Sequence, residues 1–315
     1  MKKFLLYIVV FSALTLLFVF ILNRNYFPAK AKGNDGYVGA IVDKHAYADK
    51  TKSPRIIFCG GSSTAFGVDS KMVEQRTGLP TVNMGLNGSL GLEFILNQAR
   101  YIARPSDIII LSVEYNLSTE GSYKFKKEAA RLYPPAANFF SRTISQQLND
   151  FFIFDFQHNF KTTYTNLTGG KLPEFPKNVV YSRSSFNENG DIVRNFDPHP
   201  SHDFLEKFEL PHIPNADIDP MNSFKAFADE HNIKVYFVYP PLDDKAYEAK
   251  KRVVGIIQRE YEDGLRIPML DNAADAILPD SLFYDTEYHL TMAGKKVRTE
   301  RLLELFKKKG VVAVK

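Results

Sequence analysis

The stretch that decides the fold runs from Pro54 to Gly67 and reads PRIIFCGGSSTAFG. Its apolar run, Ile56-Ile57-Phe58, is typical of a strand that is covered on both faces. Two glycines and three hydroxyl-bearing residues follow, at the point where the chain leaves this strand towards a helix. In an open parallel sheet, sites are built at the carboxyl ends of the strands. One of these hydroxyls is therefore a candidate nucleophile, and the alternative interpretation is a structural glycine-rich loop.

The same alternation of strand and helix continues along the chain. Its segments are a short helix (DSKMVEQRTG, residues 69–78), a strand (LPTVNMG, 79–85), a helix (LGLEFILNQARYIARP, 90–105) and a strand (SDIIILSVEYN, 106–116). Asp69 or Ser70 is suited to begin the first of these helices, and Gly78 to end it. Strand, helix, strand, helix and strand at this spacing predict a parallel sheet with helical crossovers.

The regular pattern returns in the last third of the chain. Its segments are a helix (DPMNSFKAFADEHN, 219–232), a strand (IKVYFVYPP, 233–241), a long helix (DDKAYEAKKRVVGIIQREYEDG, 243–264), a short strand (IPMLDN, 267–272) and a final helix (TMAGKKVRTERLLELFKKKG, 291–310). Between the two halves, residues 119–214 are irregular and rich in aromatic residues, with FFIFDFQHNF at 151–160 and a hairpin signal at Asn189-Gly190. This region is interpreted as an insertion into the α/β domain.

The N-terminal region predicts a membrane anchor over residues 1–23. Phe4 to Leu22 is uncharged, and as a helix it spans roughly 28 Å, close to the hydrocarbon thickness of a bilayer. One alternative is a cleaved signal peptide, because PAKA at Pro28–Ala31 resembles a cleavage site, and the other is a buried helix of a soluble protein. A polar, irregular tether with room for a short helix is predicted over residues 24–53, and the main domain over residues 54–315. The very short segment before the run favours a domain outside the cytoplasm, periplasmic or on the cell surface.

Composition excludes several classes of protein and site. The net charge is +4 with nearly equal numbers of acids and bases, so nothing indicates a nucleic-acid partner. A single cysteine, Cys59, excludes an internal disulfide framework and a multi-cysteine zinc site. His199 and His202 lie close together in a proline-rich loop, but no third ligand has a recognisable spacing. We therefore predict no metal and no cofactor.

A serine nucleophile needs a base within hydrogen-bond reach, a group that orients the base and donors for the oxyanion. His289, in FYDTEYHLTMAG, has a suitable setting just ahead of the last helix, with Asp285 and Glu287 nearby. Four other histidines are interpreted as isolated surface or loop residues: His45, His158, His212 and His231.

Candidate oxyanion donors follow the second and third strands. In NMGLNGS, residues 83–89, Gly88 can present its backbone N–H without a side chain in the way. Asn116 ends the third strand and can donate from its side-chain amide.

Taken together, these residues resemble the SGNH (GDSL-type) hydrolase superfamily, in the form of a membrane-anchored bacterial envelope member. The resemblance covers about Arg55–Asn116 and Asp219–Leu305. It implies a flavodoxin-like three-layer α/β/α sandwich with a parallel sheet, to which the sequence adds an N-terminal transmembrane helix and the aromatic-rich insertion. It also implies roles for four residues. Ser62 would be the nucleophile and an oxyanion donor, Gly88 and Asn116 the other donors, and His289 the base.

Three positions depart from the family pattern. Gly61 stands where the family has aspartate, and Glu114 opens a third block that usually begins with glycine. The usual acid stands three residues before the histidine, where this chain has Thr286. We predict Asp285 as the orienting acid, with Glu287 or a backbone carbonyl as alternatives. Ser63 is the alternative to Ser62 as nucleophile.

The resemblance predicts an extracytoplasmic serine esterase or O-acyltransferase. Its expected substrates are acyl esters of cell-envelope glycans, acetyl esters first, and its intermediate is an acyl-serine. Water or another hydroxyl can resolve that intermediate, and both routes use the same residues. Anchored family members suggest a membrane acyl-donor protein as a partner. A lipid esterase and a catalytically silent envelope scaffold that retains the fold are the alternatives.

Overall fold

The computed structural model of the chain describes residues 2–26, 36–150, 168, 179–194 and 215–315. Within the chain, two compact units are distinguished. One comprises Met1–Asp35 and Ser141–Pro176, and the other, called the main unit below, comprises Gly36–Phe140 and Lys177–Lys315. All the predicted catalytic and oxyanion residues lie in the main unit.

The described elements are numbered along the chain. The helices are α1 (Lys2–Tyr26), α2 (Ala40–Lys50), α3 (Ser62–Gly67), α4 (Ser70–Thr77), α5 (Gly91–Ile102), α6 (Tyr123–Leu132), α7 (Ile144–Asn149), α8 (Ile218–Glu230), α9 (Asp244–Gly264) and α10 (Met292–Lys309). The strands are β1 (Ile56–Gly60), β2 (Thr81–Asn83), β3 (Ile108–Ser112), β4 (Lys234–Phe237), β5 (Leu242–Asp243) and β6 (Ile277–Leu278).

The predicted parallel sheet is present, and the fold class is α/β. The order of its four strands is β2-β1-β3-β4, and every neighbouring pair is parallel. The register brings Ile56 of β1 opposite Thr81 of β2 and Ile108 of β3. The segment IPMLDN, predicted as a strand, contributes a single parallel bridge between Met269 and Phe237. A separate parallel pair, β5 with β6, was not predicted because each strand has only two residues.

Helices pack on both faces of this sheet. Alternate residues of a strand point to opposite faces, and Ile57 of β1 lies in a buried cluster with Phe224 of α8 and Val254 of α9. Its neighbour Phe58 lies in a second cluster with Phe306 of α10. Both faces are therefore covered, which accounts for the continuous apolar runs of β1 and β3.

Helix α2 lies within the segment that the sequence predicts as a tether. Its residues Ile41 and His45 are fully buried in the main unit. His45, interpreted from the sequence as a surface or loop residue, stacks on Tyr133 with ring centroids 4.2 Å apart. The ordered main unit thus includes residues from Gly36 onward.

The predicted anchor falls in helix α1, whose apolar side chains are exposed wherever they are described. Across the described residues, none of the helices has both the length and the apolar character that crossing a membrane requires.

The insertion, residues 119–214, is described in part. It contributes α6, α7 and the hairpin predicted around Asn189-Gly190, in which Phe186 and Ile192 form an antiparallel bridge. Gly190 has φ +96°, a conformation that favours glycine. Several features of the sequence lie outside the described residues: FFIFDFQHNF, His158, His199, His202 and His212.

The hairpin is fixed to the sheet edge by the buried carboxylate of Asp191. This carboxylate accepts hydrogen bonds from the Ser70 N–H, the Ser70 hydroxyl and the Asn83 side-chain amide, at 2.8, 2.7 and 2.9 Å. Residues 179–194 are thereby held beside β2, and this places Tyr181 next to the candidate site.

Candidate active site

The four residues that the resemblance singles out line one open pocket of about 510 Å³: Ser62, Gly88, Asn116 and His289. Ser62 begins α3 directly after β1, and Gly88 and Asn116 lie in the segments that follow β2 and β3. His289 precedes α10. Parallel strands end at the same edge of a sheet, so residues far apart in sequence are brought together there.

Of the two candidate serines, Ser62 is the one that faces the pocket. Ser63 is fully buried, and its N–H donates a hydrogen bond to Glu114 Oε1 at 2.8 Å. The Ser63 hydroxyl is enclosed and has no partner among the described residues. A ligand in the pocket can therefore reach the Ser62 hydroxyl but not that of Ser63.

His289 is oriented by Asp285. The two side chains are joined by a hydrogen bond of 2.8 Å between His289 Nδ1 and Asp285 Oδ1. They lie on a short turn that is closed by an antiparallel bridge between Phe283 and Leu290 and by a 2.7 Å hydrogen bond from the Tyr284 N–H to the His289 carbonyl. With Nδ1 engaged, Nε2 is the nitrogen left for a substrate or for Ser62.

Glu287 and Thr286, which follow Asp285 in the sequence, form hydrogen bonds to groups other than the imidazole of His289. Glu287 Oε1 accepts a hydrogen bond from the buried Lys250 ammonium at 3.1 Å. Thr286, at the position of the family's acid, accepts the backbone N–H of His289 at 3.2 Å. The shift of the acid by one residue is therefore accommodated by the local turn.

Asp285 is held in its charged form. Burial raises the pKa of this carboxyl, but hydrogen bonds from His289 and Tyr181 outweigh burial and leave the pKa below its ordinary value. The interaction therefore stabilises the fold above the ordinary aspartate pKa, and that contribution is lost as the pH falls through the lowered pKa. At neutral pH the charged carboxylate favours the histidine tautomer with its proton on Nδ1.

Two aromatic residues complete the setting of His289. Tyr181 donates a hydrogen bond to Asp285 Oδ2, and its hydroxyl lies 3.0 Å from His289 Nδ1. Burial, and then the hydrogen bond to Asp285, raise the pKa of Tyr181, so its hydroxyl remains a donor. Phe66 stacks on the imidazole with ring centroids 4.2 Å apart and planes inclined by 10°.

Sequence reasoning identified neither aromatic residue. Phe66 lies four residues after Ser62 on the same helix, a spacing that places both on one face and could have indicated it. Tyr181 lies in the insertion, where no motif indicates a role.

The two proposed oxyanion donors outside Ser62 have no hydrogen-bond partner among the described residues. Neither the Gly88 N–H nor the Asn116 side-chain amide is hydrogen-bonded to another residue in the described part of the chain. Before Gly88, Asn87 Oδ1 accepts the Ser89 N–H at 2.8 Å and shapes the turn. An oxyanion site requires hydrogen-bond donors that are held in place around a pocket and are not already bonded to other protein groups.

Two of the departures from the family pattern, Gly61 and Glu114, lie next to each other in the structure. A Cβ on Gly61 would lie 2.4 Å from both Glu114 carboxylate oxygens. The carboxylate thus occupies the space into which a side chain at position 61 would project. A side chain at position 61 and the Glu114 carboxylate therefore compete for the same space, and the glycine leaves that space to the glutamate.

This close approach makes Gly61→Ala a destabilising change. We expect it to lower the free energy of unfolding by about 1–3 kcal/mol, since the new methyl group forces Glu114 and the nucleophile turn apart. Gly67→Ala is the matched control, because there the nearest atom to the new Cβ is 3.7 Å away. Urea unfolding of both variants makes the comparison. Equal midpoints would contradict the packing described for Glu114.

No model of a known protein family matches this chain, and no curated protein matches it. Within residues 2–26, 36–150, 168, 179–194 and 215–315, no group of three or more histidine, cysteine, aspartate and glutamate residues could hold a metal ion. The chemistry of the site is therefore deduced from its geometry. It combines an accessible serine, an oriented imidazole and unengaged donors, which suits acyl transfer.

Proposed function

We propose that this chain is a serine esterase or O-acyltransferase of the SGNH (GDSL-type) superfamily, with a flavodoxin-like three-layer arrangement of its α/β fold. One observation carries the proposal. Ser62 shares a pocket with His289, whose Nδ1 is hydrogen-bonded to the charged Asp285. The unengaged Gly88 and Asn116 donors on the same pocket support it further.

In the proposed reaction, the Ser62 hydroxyl attacks the acyl carbonyl while His289 Nε2 accepts its proton. Asp285 stabilises the imidazolium that forms. The N–H groups of Ser62 and Gly88 and the amide of Asn116 bind the oxyanion, and each such donor typically contributes about 10²- to 10³-fold to the rate. His289 then returns the proton to the leaving alcohol. Water or an acceptor hydroxyl, activated by His289, releases the acyl group from Ser62.

Hydrogen-bonding side chains around the pocket suit a carbohydrate ester. Asn87, Ser89, Ser118 and Ser122 line it together with Asn116. We place the protein at the cell envelope, with its main unit outside the cytoplasm, and propose that residues 1–23 anchor it. The uncharged run from Phe4 to Leu22 supports this placement. A membrane acyl-donor protein is the proposed partner.

A trapped acyl-enzyme tests the proposal. The full chain in detergent is mixed with p-nitrophenyl acetate and quenched in acid, and peptides are mapped by mass spectrometry. We expect one acetyl group on Ser62, a burst of p-nitrophenol of about one equivalent, and neither in Ser62→Ala. Ser63→Ala is the control that should retain the burst if it folds. A folded wild-type protein without burst or adduct would overturn the proposal in favour of a silent scaffold.

A further inference from the structure

A buried carboxylate lies beside the proposed nucleophile, and one of its two oxygens has no hydrogen-bond partner among the described residues. Glu114 is 5% exposed and lines the pocket that contains Ser62. Its Oε1 accepts the Ser63 N–H, whereas its Oε2 has no partner among the described residues. A buried carboxylate oxygen without a donor is costly, and a ligand that supplies a donor or a positive charge removes that cost.

The carboxylate lies close to the proposed oxyanion site. A Cβ on Gly88, one of the proposed donors, would lie 3.8 Å from Glu114 Oε2, and a Cβ on Gly61 would clash with it. The absence of both side chains leaves the carboxylate next to the turn that carries Ser62. An oxyanion formed there would be repelled by Glu114, and in the proposed reaction the His289 imidazolium on the same pocket offsets only part of that repulsion.

The described part of the chain does not supply a further positive charge from a lysine or arginine on the pocket wall. The wall contains neither of these basic residues, and of its two glutamates only Glu287 has a cationic partner among the described residues, the buried Lys250. A second pocket of about 550 Å³ shares Asn116, Leu117 and Ser118 with the first. Its charged wall residues are also acidic: Glu120, Asp217 and Glu260.

We infer that the site accepts esters whose acyl group carries an ammonium group near the carbonyl, and that Glu114 is the residue that selects them. This inference rests on the proposed serine chemistry. The ammonium group donates to Glu114 Oε2 and offsets the repulsion that the carboxylate exerts on the oxyanion. The bonds that change are those of ordinary ester exchange. The Ser62 Oγ–carbonyl bond forms, the bond to the alcohol breaks, the proton passes through His289 to the alcohol, and the ammonium group is unchanged.

The test compares two p-nitrophenyl esters of equal size. The glycyl ester has an ammonium group where the propionyl ester has a methyl group. Each kcat/KM is measured on the full chain at about pH 6, where the amine is protonated, and is divided by the uncatalysed rate. We expect the wild type to prefer the glycyl ester, and Glu114→Gln to reduce that preference by about 30-fold or more. Glutamine retains an oxygen that accepts the Ser63 N–H, so the nucleophile turn is preserved. Glu248→Gln, an exposed change on α9, is the control that should keep the preference.

A second measurement does not depend on any variant. Glycinamide and propionamide are compared as competitive inhibitors of the wild type, and glycinamide is expected to bind more tightly. Mass mapping of Ser62 after reaction with each ester distinguishes a failure of the cation selection by Glu114 from a failure of the serine chemistry itself. If both esters acylate Ser62 at equal rates, after division by their uncatalysed rates, the proposed selection of cationic acyl groups is overturned but the serine chemistry is not. Acylation by neither ester in a folded protein would overturn the serine chemistry as well.

Discussion

Asp285→Asn is expected to lower kcat for ester hydrolysis by about 10⁴-fold. The carboxylate accepts the Nδ1 proton of His289 at 2.8 Å, and this leaves Nε2 unprotonated towards the pocket. An asparagine amide can instead donate to Nδ1, which moves the imidazole proton to Nε2. The histidine then cannot accept a proton from Ser62, although the shape of the site is retained.

Tyr181→Phe is the informative companion to this variant. It removes one hydrogen bond to Asp285 and leaves the contact between Asp285 and His289 in place. We expect a loss of about tenfold, in line with one hydrogen bond to a charged group. Steady-state kinetics with p-nitrophenyl acetate, with circular dichroism as the check on folding, measure both effects. An Asp285→Asn variant within tenfold of the wild type would remove Asp285 from its assigned role.

Arg55→Met is expected to destabilise the main unit by about 3–5 kcal/mol. The Arg55 and Asp107 side chains are fully buried and lie 3.1 Å apart. The guanidinium also donates to the carbonyl of Ile102 at 2.6 Å and to that of Ala48. One side chain thus joins the ends of α2 and α5 to β1 and to the start of β3. Methionine would leave the Asp107 carboxylate without its buried cation.

Lys50→Met provides the matched comparison for Arg55→Met. Lys50 pairs with Glu188, but the two side chains are 60% and 66% exposed. Solvent and salt screen such an exposed pair, so this variant should remain close to the wild type in stability. Urea unfolding reports both changes. Similar losses in the two variants would show that the buried pair does not stabilise the fold as described.

The strand-end residues could be predicted from sequence order alone. Ser62, Gly88 and Asn116 each follow a strand of the parallel sheet, and the topology brings the ends of those strands to one edge. His289 was placed instead from the pattern of the last helix, which it precedes. The sequence favoured Asp285 but left Glu287 open, and the turn geometry shows that the Asp285 carboxylate is the one that reaches Nδ1.

Other features had no sequence signal because they depend on buried polar contacts. Helix α2 was interpreted as part of a polar tether, yet its residues Lys44 and His45 are both buried. The Lys44 ammonium donates to the carbonyls of Asn83 and Gly190, at 2.9 and 2.5 Å. A hydropathy scale predicts that such charged and polar residues are exposed. They can be buried only where the fold supplies hydrogen-bond partners, which the sequence alone does not show. Tyr181 depends in the same way on the docking of the hairpin.

The most direct measurement is labelling of the full chain with a fluorophosphonate probe, followed by mass mapping of the adduct. An activated Ser62 predicts a single adduct on that residue, and its loss in both Ser62→Ala and His289→Ala. A folded wild-type protein that remains unlabelled, or one labelled on Ser62 equally well without His289, would contradict the catalytic assignment of this site.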